Sequence, residues 1–214
     1  MLDEQRDIIL SVGGERRVLP KEDYLITETG VDYVYIDGHG GFVLDKSATV
    51  YIHRYKSEEC KGQWFIEFGY SHGKNPTGAK YIYAAVLTKD EELVKNYAKN
   101  PSYKLLKQTE NALCAACPKL GIAGYVFYAP DECNGIAVDQ RMILVTSEEN
   151  GVKEIRVSDV TQLLTSATIT VEVGEAQILD KSDTVEAKIE GGKLVIKVNF
   201  KESYGRPYSI RYKS

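Results

Sequence analysis

Apolar and polar residues alternate with a period of two along much of this chain. Residues 166–173, SATITVEV, have four apolar positions on one face: Ala167, Ile169, Val171 and Val173. Because successive side chains of a strand point to opposite faces, this pattern predicts half-buried β-strands. The N-terminal half contains further segments predicted as strands, at residues 32–37, 42–45, 49–55, 63–73 and 80–87.

Paired strands with short turns are also predicted from the sequence. Residues 185–200, VEAKIEGGKLVIKVNF, read as a hairpin that turns at Gly191-Gly192, and residues 142–157 read as one that turns at Asn150-Gly151. The loop DGHGG, residues 37–41, joins two more strands. We interpret its glycines as a requirement of tight turn geometry rather than as a site built on His39.

One segment departs from the strand pattern. Residues 88–99, TKDEELVKNYAK, open with Thr88 and carry Glu91 three residues later, which is the spacing of a helical capping box. The segment predicts a helix of about three turns, ended by Asn100 and Pro101. The predicted fold is therefore all-β, with antiparallel β-sandwiches and one short connecting helix near residues 89–99.

Composition and charge narrow the classes of function. The 214 residues contain 27 Lys and Arg against 31 Asp and Glu. This mild acidity argues against nucleic acid or an anionic membrane as the main partner. The start, MLDEQRDIIL, lacks the basic and apolar parts of a secretory signal. Read literally it predicts a cytoplasmic protein, although an initiator Met joined to an excised domain would look the same.

Cys114 and Cys117 form a C-x-x-C pair in ENALCAACPK. A zinc site needs about four ligands, and the three histidines lie far upstream in the sequence. If residues 112–117 form a strand, positions three apart point to opposite faces and cannot share a metal. We therefore interpret these cysteines as packing residues and predict no metal site. A redox or zinc protein ranks last among the alternatives.

The segment YSHGKNPTG, residues 70–78, holds the candidate site residues Tyr70, His72 and Lys74. His and Tyr can exchange a proton and Lys can steady a carboxylate, so the three are candidates for substrate binding. A loop with solvated side chains is the competing interpretation, and it is favoured. Trp64 offers a stacking surface for a sugar ring, but its same-face neighbours Ile66 and Phe68 favour packing in the core.

Several short motifs occur in a recognisable order between residues 37 and 173. They are DGHGGFVL, the loop of His72, Gly73 and Pro76, the Tyr81-x-Tyr83 strand, a Tyr97-x-x-x-Pro101 link, LLKQTENALCAA and VSDVTQ. In this order they resemble the C-terminal part of polysaccharide lyase family eight, which contains the chondroitin, hyaluronan and xanthan lyases. VSDVTQ resembles the family's S-D-P-T-Q, with Val160 in place of Pro.

The resemblance implies a parent enzyme that cleaves acidic polysaccharide by β-elimination. In the family, the catalytic Asn, His, Tyr and Arg lie chiefly in an N-terminal helical toroid, and no motif here matches them. We therefore assign no catalytic residue and no cofactor. Residues 1–100 are expected to be the C-terminal part of the central β-sandwich domain, and residues 101–214 the small C-terminal β-sandwich.

The sequence therefore predicts a non-catalytic C-terminal β portion of a secreted or periplasmic glycosaminoglycan lyase. Its expected partners are the acidic polysaccharide and the N-terminal helical catalytic domain of the same parent chain. Two alternatives stay open. One is a free-standing carbohydrate-binding module with a tyrosine-rich face, since the chain has 15 Tyr. The other is a lyase in its own right, built on Tyr70, His72 and Lys74.

Overall fold

A computed structural model describes residues 6–214, and the chain divides into two compact units, Met1–Pro101 and Ser102–Ser214. Within residues 6–101 the structure has eight strands and one α-helix. The strands are β1 (Ile8–Val12), β2 (Glu15–Val18), β3 (Tyr24–Thr29), β4 (Val31–Ile36), β5 (Gly40–Leu44), β6 (Thr49–Ser57), β7 (Gln63–Ser71) and β8 (Tyr83–Val86). The helix, α1, spans Glu91–Lys99.

The strands of the N-terminal unit form two antiparallel sheets. The larger has the order β2-β1-β4-β5-β8 and the smaller has the order β3-β6-β7. Ile8, Leu10 and Val34 of the larger sheet belong to the same buried cluster as Ile52 and Ile66 of the smaller sheet. Burial of this apolar surface between two sheets is what stabilises a β-sandwich.

Helix α1 covers the other face of the larger sheet. Its buried Val94 and Ala98 pack against Ile9, Tyr33 and Val43. The central strands β1 and β4 are therefore buried on both faces. This explains why their sequences, IILSV and VDYVYI, are more continuously apolar than those of half-buried strands.

The predicted helix is confirmed, but its first turn is built differently. Asp90, not Thr88, is the N-cap residue, and its carboxylate accepts a hydrogen bond from the Glu92 backbone N–H at 2.9 Å. Thr88 instead accepts from the Asp90 N–H at 3.1 Å, in the turn before the helix. Glu91 does not complete a capping box, because its carboxylate is bound by Arg16 and Tyr33.

The C-terminal unit has twelve strands and a short 3-10 helix (Pro118–Leu120) between residues 102 and 214. The strands are β9 (Lys104–Gln108), β10 (Ala112–Cys117), β11 (Ile122–Phe127), β12 (Asp131–Cys133), β13 (Ile136–Val138), β14 (Met142–Glu149), β15 (Val152–Ser158), β16 (Ser166–Glu172), β17 (Gln177–Lys181), β18 (Val185–Glu190), β19 (Lys193–Asn199) and β20 (Tyr208–Lys213).

These strands form a second sandwich. A seven-stranded sheet has the order β17-β20-β15-β14-β11-β10-β9, and a five-stranded sheet has the order β12-β13-β16-β19-β18. Inward-facing residues such as Leu144, Ile155, Ile169, Leu194 and Ile196 share one core. Both predicted hairpins are confirmed, since β14 pairs with β15 and β18 pairs with β19. The all-β antiparallel prediction is confirmed as well.

Within residues 6–214, no helix has the length and apolar character needed to cross a lipid bilayer.

Candidate functional site

An aromatic cleft opens in the N-terminal unit between the edges of its two sheets. We call it the aromatic cleft and define it by its lining residues: Phe42, Leu44, Val50, Phe68, Gly69, Tyr70, His72, Tyr81 and Tyr83. Its volume is about 420 Å³. The cleft thus combines the ends of β5 and β7 with the segment that leads into β8.

The rings in the aromatic cleft lie close together. Tyr70 and Tyr81 have ring centroids 6.0 Å apart, Tyr70 and His72 6.3 Å, and Tyr81 and Tyr83 6.5 Å. Deeper in the cleft, Phe42 and Phe68 pack edge to face at 4.6 Å. Tyr81 is 60% exposed and Tyr83 is 52% exposed, so flat ring surface is available to a ligand. Aromatic faces of this kind offer stacking surface to the apolar faces of a ligand.

The hydroxyl of Tyr70 ties two segments of the cleft wall together. It donates a hydrogen bond to the backbone carbonyl of Ile82 and accepts one from the backbone N–H of Asp45 at 3.1 Å. Since both the proton and a lone pair of the hydroxyl are engaged, Tyr70 is held as a structural residue. The cleft therefore offers the ring of Tyr70 to a ligand, and not its hydroxyl.

The structure brings together two of the three predicted site residues. Tyr70 and His72 both line the aromatic cleft, whereas Lys74 is exposed and does not line it. His72 lies just beyond the end of β7 and stacks beside Tyr70. The assignment of these three residues to substrate binding stays a prediction.

Sequence reasoning did not identify Tyr81 and Tyr83 as cleft residues, although it recognised the Tyr81-x-Tyr83 pattern. Residues two apart in an extended segment project to the same face, so a shared surface is the direct consequence of this spacing. The structure adds that this face borders Tyr70 and Phe42. That neighbourhood depends on the pairing of β5 with β8, which joins segments about forty residues apart.

Trp64 is not a free stacking platform. It is half-buried on β7, and the guanidinium carbon of the buried Arg54 lies 5.7 Å from the centroid of its ring. Arg54 also donates to the carbonyl of Pro20 at 3.1 Å. A cation–π contact within the protein therefore uses the face of Trp64.

The glycines of the DGHGG loop serve geometry, as predicted. The loop is the turn between β4 and β5, and His39 is exposed there. Gly40 has a φ of +136°, and a Cβ added to it would lie 2.6 Å from the Val86 carbonyl oxygen. A Cβ on Gly41 would lie 2.3 Å from a methyl carbon of Val94. Only glycine allows β8 and α1 to approach this closely.

The C-x-x-C cysteines lie on strand β10, as the packing interpretation requires. Cys114 is fully buried in the core of the C-terminal unit, and Cys117 is half-buried. Burial, together with a hydrogen bond to Cys133, raises the pKa of Cys114 to about 12. The thiol is therefore protonated at neutral pH. Residues 6–214 contain no cluster of three His, Cys, Asp or Glu side chains placed to hold a metal ion.

The VSDVTQ segment forms a tight loop around one buried carboxylate. Asp159 is 1% exposed and accepts hydrogen bonds from the Thr161 N–H and hydroxyl, the Leu163 N–H and the Leu164 N–H at 2.6–2.9 Å. Burial alone raises the pKa of Asp159, but these hydrogen bonds outweigh it and hold the pKa below its usual value. The motif therefore has a structural role in the link between β15 and β16.

Comparison with known proteins supports the family resemblance. Residues 104–168 match the polysaccharide lyase family 8 C-terminal beta-sandwich domain. A hyaluronate lyase from Thermasporomyces composti is 25% identical over 196 residues, which cover 84% of this chain and 25% of that protein. A chondroitin sulfate ABC exolyase from Bacteroides thetaiotaomicron is 34% identical over 71 residues, which cover 33% of this chain and 7% of that protein.

A solved structure supports the same relationship at the level of the fold. The xanthan lyase of Paenibacillus superposes with a TM-score of 0.85 at 20% sequence identity, over 98% of this chain and 22% of that protein. The chain thus spans about a quarter or less of the length of these relatives. Sequence and fold together show that the chain resembles the C-terminal β region of polysaccharide lyase family 8, and residues 104–168 match that family's C-terminal domain.

Proposed function

We propose that this chain is the non-catalytic β portion of a lyase that cleaves an acidic polysaccharide of the glycosaminoglycan type by β-elimination, and that its aromatic cleft contacts the glycan. One observation carries the proposal: nearly the whole chain matches a fragment, 22%, of a xanthan lyase. The similar proteins in sequence are named as hyaluronate and chondroitin sulfate lyases. An acidic polysaccharide is therefore the proposed substrate class.

The arrangement of the aromatic cleft supports a binding role over a catalytic one. β-Elimination needs a base at the proton next to the uronate carboxylate, a group that neutralises the enolate, and an acid at the leaving oxygen. In the cleft the Tyr70 hydroxyl is engaged by two backbone groups, and Lys74 lies outside the lining. These side chains do not converge on one reacting centre.

The proposal places the missing chemistry in an N-terminal helical domain of the same parent chain. Residues 1–100 would then be the end of the central β-sandwich domain, and residues 101–214 the small C-terminal β-sandwich. A parent enzyme that acts on extracellular polysaccharide is secreted or periplasmic, which is the location we propose. No cofactor is part of the proposal.

We expect the isolated chain to show no lyase activity. It is incubated with chondroitin sulfate and with hyaluronan while the absorbance of the unsaturated uronate product is followed. Absorbance should stay at the level of the enzyme-free control, because no acid, base and neutralising group converge among the described residues of the aromatic cleft. Robust turnover that is abolished by His72→Ala would contradict the non-catalytic role and support a self-contained lyase.

The exposed ring of Tyr81 gives the most direct test of glycan contact. We expect Tyr81→Ala to weaken binding of a chondroitin sulfate hexasaccharide by about threefold to tenfold, the loss of one aromatic contact. The dissociation constant is measured by NMR titration or calorimetry. Tyr128→Ala is the matched control, since Tyr128 is 54% exposed and lies outside the cleft. Equal binding by the two variants would show that the cleft is not the contact.

A free-standing carbohydrate-binding module is the second candidate function. The exposed rings of Tyr81 and Tyr83 favour it, because such a module needs only a stacking surface. The gene sequence upstream of residue 1 separates the two proposals. Several hundred residues of helical hairpins there are expected for the lyase, and an unrelated or absent upstream domain is expected for the module.

A further inference from the structure

A second groove in the N-terminal unit has four cations and one acid among its lining residues. We call it the basic groove. It has a volume of about 480 Å³ and lies between the β1–β2 turn, the start of β4 and the C-terminal half of α1. Its charged lining residues are Arg16, Lys46, Lys95, Lys99 and a single acid, Asp32.

Asp32 is committed to internal contacts. Its side chain is 9% exposed and accepts hydrogen bonds from the Ser11 hydroxyl at 3.0 Å and the Gly14 N–H at 2.7 Å, with Lys46 Nζ at 2.5 Å. Burial alone raises the pKa of Asp32, but these three donors outweigh it and hold the pKa below its usual value. Asp32 is therefore ionised at neutral pH and fixes Lys46 at the groove.

The charges of the remaining groove cations are only partly neutralised by acidic residues. Arg16 forms a two-point pair with Glu91 at 2.8 and 3.0 Å, and Lys95 pairs with Glu92 at 2.9 Å. Lys99 makes no ion pair with any residue in the range 6–214. Four cations thus stand against three carboxylates. The paired side chains of Arg16, Lys46 and Lys95 are themselves 42–62% exposed. The groove carries a net positive charge on a chain whose net charge is −4.

A single turn joins the basic groove to the aromatic cleft. The backbone N–H of Asp45 donates to the Tyr70 hydroxyl in the cleft, and the next residue, Lys46, reaches into the groove. The backbone of the same turn is held to the start of β4, because the Gly30 N–H donates to the Lys46 carbonyl at 3.1 Å. Asp45 and Lys46, adjacent in the sequence, thus connect the wall of the cleft with the lining of the groove.

We infer that the basic groove binds a sulfate or carboxylate group of an acidic saccharide. This inference rests on the proposed function, because the ligand is the same acidic saccharide. The aromatic cleft offers stacking surface, and the groove would bind the anionic groups. The ammonium groups of lysine donate charge-assisted hydrogen bonds to such anions, and these bonds are stronger than those between neutral groups. Lys95 and Lys99 are four residues apart on one helix and present two such groups on the same side of the groove. Stacking in the cleft and charge in the groove would act on one ligand.

The test removes the two helical lysines and leaves Lys46 with Asp32. We expect Lys95→Gln/Lys99→Gln to weaken binding of a chondroitin sulfate hexasaccharide by about tenfold at low salt, and by less as salt is raised. The control, Lys56→Gln/Lys61→Gln, makes the same change in net charge at exposed lysines outside the groove and should change binding by less than about twofold. Neither pair of substitutions should change the binding of cellohexaose, which is neutral.

The outcomes separate this inference from the proposed function. If Tyr81→Ala weakens binding but the groove lysines behave like the control pair, the groove inference is overturned and the glycan-contact proposal stands. If both lysine pairs weaken binding equally, the effect is the net charge of the chain and the inference is again overturned. If the unsubstituted chain does not bind the hexasaccharide, both proposals fail. Thermal unfolding of each variant checks that the fold is retained.

Discussion

Replacement of Asp159 by Ala is expected to lower the free energy of unfolding of the C-terminal unit by about 2–4 kcal/mol. The substitution removes the acceptor for three backbone N–H groups and one hydroxyl in the loop after β15. These donors would be left without a partner where burial limits access to water, and that is costlier than losing an exposed hydrogen bond. Urea unfolding of the full chain, with amide exchange followed in β15 and β16, measures the loss.

The matched control is Asp183→Ala, because Asp183 is exposed. A loss no larger than that of the control would mean that the Asp159 contacts do not stabilise the loop. Asp159→Asn adds a test of charge. Because the folded pKa of Asp159 lies below its usual value, its stabilisation is present above about pH 4 and is lost as pH falls through the folded pKa. The difference in stability between the Asp159→Asn variant and the unsubstituted chain should therefore shrink in acid.

A methyl group at position 41 is expected to be nearly as damaging in the N-terminal unit. The Cβ of Gly41→Ala would lie 2.3 and 2.6 Å from the two methyl carbons of Val94, which is fully buried. Helix α1 must move away from β5 to admit it, so we expect a loss of about 2–3 kcal/mol in the free energy of unfolding. Thermal or urea unfolding of the full chain measures this loss.

A double substitution isolates the clash. In Gly41→Ala/Val94→Ala the shortened side chain at 94 makes room for the new methyl group. The combined loss should be smaller than the sum of the single losses by at least about 1 kcal/mol. Gly124→Ala is the control, since a Cβ there has no neighbour within 4 Å. A loss for Gly41→Ala equal to that of the control, or strict additivity with Val94→Ala, would refute the contact.

The sequence best predicts strands with one buried and one exposed face, and the short turns between strands. The alternation in SATITVEV and the Gly191-Gly192 turn depend on neighbours a few residues away, and both are present as β16 and the β18–β19 hairpin. The predicted capping box of α1 is wrong, because Asp90 caps the helix in place of Thr88 and Arg16 competes for the carboxylate of Glu91. That competitor lies about seventy-five residues upstream.

The candidate site was recovered only in part for the same reason. Tyr70 and His72 lie close in sequence, so one motif identifies both. Tyr81 reaches them across the segment between β7 and β8, and Phe42 only through the pairing of β5 with β8. The basic groove has no local signature at all, because its cations come from a hairpin, a turn and a helix.

Double-sided burial of β1 and β4 leaves their alignment weakly specified by hydrophobicity. A shift by one residue would exchange the two faces of each strand yet keep most apolar side chains out of water. Polar contacts can discriminate between such alignments, and three occur here: Ser11 with Asp32, Tyr33 with Glu91, and the Tyr35 hydroxyl with the Lys89 carbonyl. These three directional hydrogen bonds therefore favour one register of β1 and β4 over the alternatives that apolar burial alone would allow.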